Sequence, residues 1–180
     1  FQQRNTNSTR ENALNTVSEI QNLCVKHQKK LVVYLSMGFG NPYNEPYDLP
    51  ILSEWTEKLI ASGVQILALS DTIGVSNPQN IKEIYPFLTK NYPKTEWGLH
   101  LHSTPDKSLE KIEAAFKNGC TRFDAAIKGY GGCPMAKDEL TGNVATENVL
   151  AYLEQNQFHT TINKEAFLEA LKFSEQIFTS

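Results

Sequence analysis

Cysteine is scarce in this chain of 180 residues, with only Cys24, Cys120 and Cys133. An odd number at wide spacing, without a C-x-x-C pair, supports neither a thiolate zinc cage nor a thioredoxin-type motif. It suits a reduced, intracellular compartment, cytoplasmic or the mitochondrial matrix. Net charge is small as well, −3 with a pI of about 5.8. Without a basic face, nucleic acid is excluded as the main partner. No apolar run approaches the ~20 residues of a membrane span, and the opening FQQRNTNSTREN lacks the charged-then-apolar order of a secretory signal. A hydrophobic content of 40 % is enough, at this length, for a real core. No linker or low-complexity tract divides residues 1–180, so they read as a single domain.

Helical and extended patterns alternate along the chain. Ser8 and Glu11 have capping-box spacing and predict a helix running to about Lys29, with Leu14, Val17, Ile20 and Leu23 on one stripe. The runs LVVYLSM, VQILALSD, WGLHLH and TRFDAAI read as strands. Between them lie helical segments: one closed by Gly63, one opened by Pro78 and shortened or kinked at Pro86, and one closed by Gly119. Two more helices follow, over roughly 145–155 and 164–178. Continuous rather than alternating apolar strands predict an α/β fold with a parallel sheet covered on both faces. Both an open doubly wound sheet and part of a (β/α)8 barrel fit, although a full barrel needs ~250 residues. FQQRN reads as the tail of an interrupted strand, so the chain is expected to be part of a larger barrel.

Chemistry-bearing residues gather at predicted strand ends. In GLHLH, His100 and His102 point to one face near the carboxyl end, where α/β proteins keep their sites. They are either metal ligands or partnered core histidines. Asp71 ends the second strand, where a carboxylate is a metal ligand, a general acid/base or a cap for the next turn, and by itself it favours the cap. Asp124 reads as a buried strand carboxylate with the same ambiguity. Cys133 sits among glycines, Gly131 and Gly132 included, whereas Cys24 and Cys120 read as small core residues. Asn143 reads as a helix N-cap or as an oxygen ligand to a hard cation. Glu147 lies in a helix first turn, where the dipole alone accounts for a carboxylate.

Taken in order, LSDTIGVSNP, GLHLHST, GYGGCPMA and TGNVATEN resemble the hydroxymethylglutaryl-CoA lyase family, within the metal-dependent lyase and synthase barrels of the Claisen type. The glycine–cysteine loop is the most specific element. The H-x-H pair is shared with related synthases. The resemblance implies the C-terminal part of a TIM barrel, from the end of the fourth barrel strand to the C-terminal helices. It further implies cleavage of 3-hydroxy-3-methylglutaryl-CoA to acetyl-CoA and acetoacetate, an acyl-CoA partner, a divalent cation such as Mg²⁺ or Mn²⁺, and a homo-oligomer as one candidate assembly. By position it makes His100, His102 and Asn143 metal ligands. Cys133, Asp71 and His100 become catalytic residues, and Glu147 a neighbour of the metal. Three departures accompany it. Ser103 stands where the family has Asp, AKDELTGN is one residue longer than the commoner loop, and the family's first-strand Arg-Asp pair is unmatched, so these 180 residues alone are expected to be inactive. A Claisen-type synthase or aldolase of the same fold, an inert remnant, and a simple metal- or CoA-binding module are the alternatives.

Overall fold

The computed structural model describes residues 1–132 and 141–178. Its frame is a four-stranded parallel sheet formed by β1 (Val32–Leu35), β2 (Ile66–Ser70), β3 (Glu96–His100) and β5 (Phe123–Asp124), in that order. A two-stranded antiparallel ribbon, β4 (His102–Ser103) with β6 (Gly142–Asn143), stands at its rim. Strand neighbours follow chain order without reversal. A doubly wound sheet would reverse at a switch point, so the strand order is that of a barrel wall. A parallel bridge between Ala126 and Ala145 extends the wall past β5.

The helices are α1 (Gln2–Thr6), α2 (Arg10–Lys26), α3 (Leu49–Ala61), α4 (Pro78–Asn91), α5 (Ser108–Lys117), α6 (Thr146–Gln155) and α7 (Lys164–Ile177). Two of the crossover helices, α3 and α4, are started by side-chain caps. Asp48 accepts from Ile51 N to cap α3, and Asn77 and Asn80 form a reciprocal capping box across the first turn of α4, with Pro78 between them. Pro86 neither ends α4 nor shortens it, because the helix's buried face, Ile81, Ile84, Tyr85 and Leu88, holds it to the core. Every residue of β2 is buried, and Leu67 and Leu69 have no exposed surface. Each such leucine contributes about 1.5–3 kcal/mol of burial, which makes β2 the anchor of the sheet.

Several expectations need correction. Residues 2–6 are helical, not the tail of a strand. The cap of α2 is Thr9, accepting from Asn12 N, one residue beyond the predicted box. The helix ends at Lys26 because Gln28 takes a left-handed conformation, φ 54°. WGLHLH is not one strand: the ladder stops at His100, and His102 begins a second ribbon. TRFDAAI contributes only Phe123 and Asp124 as a strand. Cys120 is buried as expected, whereas Cys24 is only half-buried.

Candidate active site

The carboxyl ends of β2 and β3 meet at a rim. Asp71 N donates to His100 O at 2.8 Å, carrying the ladder one step past the strands. The chain then turns through Thr72–Ser76, with Gly74 at φ 73° and its N–H donating to Asp71 O. A left-handed position of this kind favours glycine. Asp71 has no exposed surface, and both its oxygens are committed. Oδ1 accepts from Ser76 N at 3.0 Å, and Oδ2 accepts from Ser76 Oγ and, at 3.1 Å, from Lys111 Nζ. The carboxylate therefore caps its own turn, the simplest of the three sequence readings, and in addition pairs with a buried cation.

His100 and His102 keep to one side of the rim despite the break between them. Their rings lie 5.1 Å apart, centroid to centroid, and meet edge-on. The two rings are held differently. Nδ1 of His102 lies 3.0 Å from the Thr72 carbonyl oxygen. A carbonyl only accepts, so Nδ1 carries a proton, and in the neutral ring Nε2 is then the atom with the lone pair. Nδ1 of His100 is buried without a hydrogen-bond partner and lies 3.7 Å from Asp124 Oδ2, while Tyr34 meets the ring edge-on at 5.6 Å. Burial, and then the neighbouring His102, push the His100 pKa below its ordinary value. A neutral imidazole is the form that binds a cation or accepts a proton. Asp124 is only partly covered, its side chain 31 % exposed, and so is not the buried carboxylate the sequence suggested.

Asn143 is brought to the histidines by the ribbon, where it stands directly opposite His102. Its amide nitrogen donates to Tyr130 O at 2.8 Å, which leaves the oxygen as its acceptor end. It is not an N-cap: α6 begins after Ala145, which has no side-chain cap bond. Glu147 does not join this group through its described contacts. Its Oε2 accepts from Lys128 N at 3.0 Å and so fixes the start of the glycine loop, where Lys128 takes φ 55°. The glycines there are demanded by proximity. A Cβ on Gly132 would come 2.6 Å from Thr141 O, and one on Gly142 would come 2.6 Å from Gly129 O. The two legs of the loop thus run backbone against backbone, holding Asn143 in place. Cys133 lies outside the described residues.

Ser103 donates to Thr104 O, so no side chain at this position orients either ring. The Thr72 carbonyl does that work for His102. Sequence reasoning missed Thr72, Ser76, Tyr34 and above all Lys111. One signal was available for Lys111: it shares the buried stripe of α5 with Ser108, Ile112 and Ala115. Beside the turn a cavity of about 240 Å³ opens, lined in part by Asn41, Gly74, Thr104 and Lys111. Among the described residues no group of three His, Cys, Asp or Glu side chains gathers around a common point. The groups on this rim that could hold a cation are two imidazoles and one amide, and Nδ1 of His100 is a buried polar atom without a hydrogen-bond partner.

The HMGL-like family model matches residues 1–173. The chain belongs to this family. It is 32 % identical over 173 residues to the hydroxymethylglutaryl-CoA lyase of Bacillus subtilis, covering 96 % of this chain and 58 % of that one. A Pseudomonas aeruginosa relative, a 3-hydroxy-3-isohexenylglutaryl-CoA/hydroxymethylglutaryl-CoA lyase, is 31 % identical over 94 % of this chain and 56 % of its own. The crystal structure of hydroxymethylglutaryl-CoA lyase from Pseudomonas aeruginosa superposes with a TM-score of 0.89 at 29 % identity, over all of this chain and 60 % of that one. The chain thus spans somewhat over half the length of these three, and its fold matches part of their barrel. Among the described residues no helix is long and apolar enough to cross a membrane.

Proposed function

We propose that the protein to which this chain belongs is a carbon–carbon lyase that splits a 3-hydroxy-3-alkylglutaryl-CoA, with hydroxymethylglutaryl-CoA as the first candidate. The observation that carries this reading is the convergence of His100, His102 and Asn143 at the carboxyl-end rim of a sheet shared with lyases of that name. The isohexenyl substrate named for the Pseudomonas aeruginosa relative keeps the substituent on the third carbon open.

His100, His102 and Asn143 fit a divalent cation of the Mg²⁺ or Mn²⁺ type, since two nitrogens and one amide oxygen leave room for substrate and water oxygens. Such an ion, when bound, supplies Lewis-acid stabilisation to the alkoxide and carboxylate oxygens of the substrate. The chain's own residues supply the rest. Thr72 O holds the His102 ring with Nε2 available. His100, kept neutral by burial, is a candidate both for ligation and for taking the proton of the tertiary hydroxyl. As the bond between the second and third carbons breaks, its electron pair stays with the acetyl-CoA part as an enolate, and acetoacetate leaves as the ketone. Cys133 is the proposed donor of the proton that converts the enolate carbon to a methyl group. Asp71 is proposed to act through position, because its oxygens are already bonded.

The test is acetoacetate formation from hydroxymethylglutaryl-CoA by the full-length protein with Mn²⁺ or Mg²⁺. Product in equimolar yield with acetyl-CoA is expected. Condensation of acetyl-CoA with a keto acid, in place of cleavage, would move the assignment to a synthase of the same fold.

A further inference from the structure

Lys111 is buried to 2 % exposure on a helix whose other inward residues are small or apolar. Its ammonium has three protons and meets three acceptors: His102 O at 2.7 Å, Asp71 Oδ2 at 3.1 Å and Gly74 O at 3.3 Å. None of the three belongs to α5. A buried ion pair is poor value for stability alone, since an apolar pair of like volume commonly does as well or better. What this one adds is geometric. Asp71 and Gly74 bracket the turn that carries Thr72, and the Thr72 carbonyl orients the His102 ring. The same ammonium grips the His102 backbone directly.

We propose that Lys111 is a positioning residue of the site: by joining the Asp71–Gly74 turn to the His102 backbone, it fixes both the main chain and the ring tautomer of His102. No motif singles out this lysine, and its role rests on the reading of His102 as a cation ligand only for the metal consequence, not for the tautomer. His100 joins this network through its main-chain carbonyl, which accepts from Asp71 N, and among the described residues Nδ1 of its ring has no hydrogen-bond partner, so the effect should fall on His102.

The experiment uses the full-length protein and two variants, Lys111→Met and the charge-balanced Asp71→Asn/Lys111→Met. The double variant leaves no unpaired buried charge, so it remains informative if the single variant does not fold. Imidazole ¹⁵N spectra, with His102 assigned by His102→Gln, read the tautomer, and a Mn²⁺ titration reads affinity. The wild type is expected to show His102 as Nδ1–H alone. The folded double variant should show mixed tautomers and bind Mn²⁺ roughly 10- to 100-fold more weakly, the usual loss when the support of a ligand is removed. A folded double variant with wild-type tautomer and affinity overturns the proposal. So does failure of the double variant to fold, which would make the pair purely structural. If the wild type binds no Mn²⁺, the cation reading fails, and the tautomer comparison still decides the role of Lys111.

Discussion

The two rim histidines differ in what holds them, and that difference can be measured. His102 has a fixed tautomer through Thr72, whereas His100 has a buried nitrogen with no partner. In the full-length protein, His100→Ala and His102→Ala should each weaken Mn²⁺ binding by at least about tenfold. His27→Ala and His159→Ala, at exposed positions, should leave it unchanged. Equal affinities across the four variants would remove both histidines from the site. His100 also gives a pH prediction. Its folded pKa lies below its unfolded value, so the unfolded chain takes up the proton first. The stabilising contribution of the neutral ring is complete above about pH 6.5 and is lost as pH falls through the folded pKa. Urea midpoints should therefore drop on acidification below neutrality, and less steeply in His100→Gln. Cys133 is tested by turnover: Cys133→Ser should keep Mn²⁺ and substrate binding and lose roughly 10²- to 10⁴-fold in kcat, the range for removing a positioned proton donor. Wild-type turnover in that variant would end its catalytic role and leave the lyase reading standing.

At the scale of elements, the sequence made the alternation of strands and helices plain, because β2 and β3 are apolar runs and Gly63, Pro78 and Gly119 stand at the helix boundaries they signalled. It did not show where strands end. Leu101 continues the apolar pattern of WGLHLH, yet the chain there leaves the sheet to pair with β6, a contact across about forty residues that no local signal encodes. Asn143 was legible as a residue near the site but not as the partner strand of His102. The glycine loop was legible as unusual, but the reason, two backbones in contact, is tertiary. That reason yields a test. Gly142→Ala places a methyl group 2.6 Å from Gly129 O and 3.1 Å from Gly131 O, both backbone atoms that cannot move aside alone. It should cost about 1–3 kcal/mol and weaken cation binding by shifting Asn143. Gly119→Ala, at φ 87° with nothing within 4 Å of the added carbon, should cost only the backbone strain and leave cation binding intact. Urea unfolding of both variants, with Mn²⁺ titration, separates the two effects; equal behaviour would show that the loop legs yield.

At the scale of the whole molecule, the sheet has two thinly paired margins among the described residues, the one beyond β5 continued only by the Ala126–Ala145 bridge. Among the described residues β1 pairs only with β2, and β5 pairs only with β3. Tyr34 on β1 is 47 % exposed, and Val32 and Val33 are only partly covered, although continuous apolar strands of this kind are ordinarily buried on both faces. Leu23 and Val25 on α2 and Phe173 and Ile177 on α7 add exposed apolar surface. The Bacillus subtilis and Pseudomonas aeruginosa relatives extend well beyond the part that this chain matches. Residues 1–180 prepared alone should therefore associate as concentration rises, since an uncovered strand edge offers free N–H and C=O groups beside apolar side chains and a net charge of −3 opposes contact only weakly. Sedimentation velocity across a hundredfold concentration range should show growth in mean mass, together with binding of a hydrophobic dye. Replacing Val33 and Tyr34 by Lys should reduce both, because charge on an edge strand blocks pairing. A dye-silent monomer at every concentration would mean that this part of the barrel seals its own margins, and the full-length protein would then be expected to separate into two independently unfolding pieces.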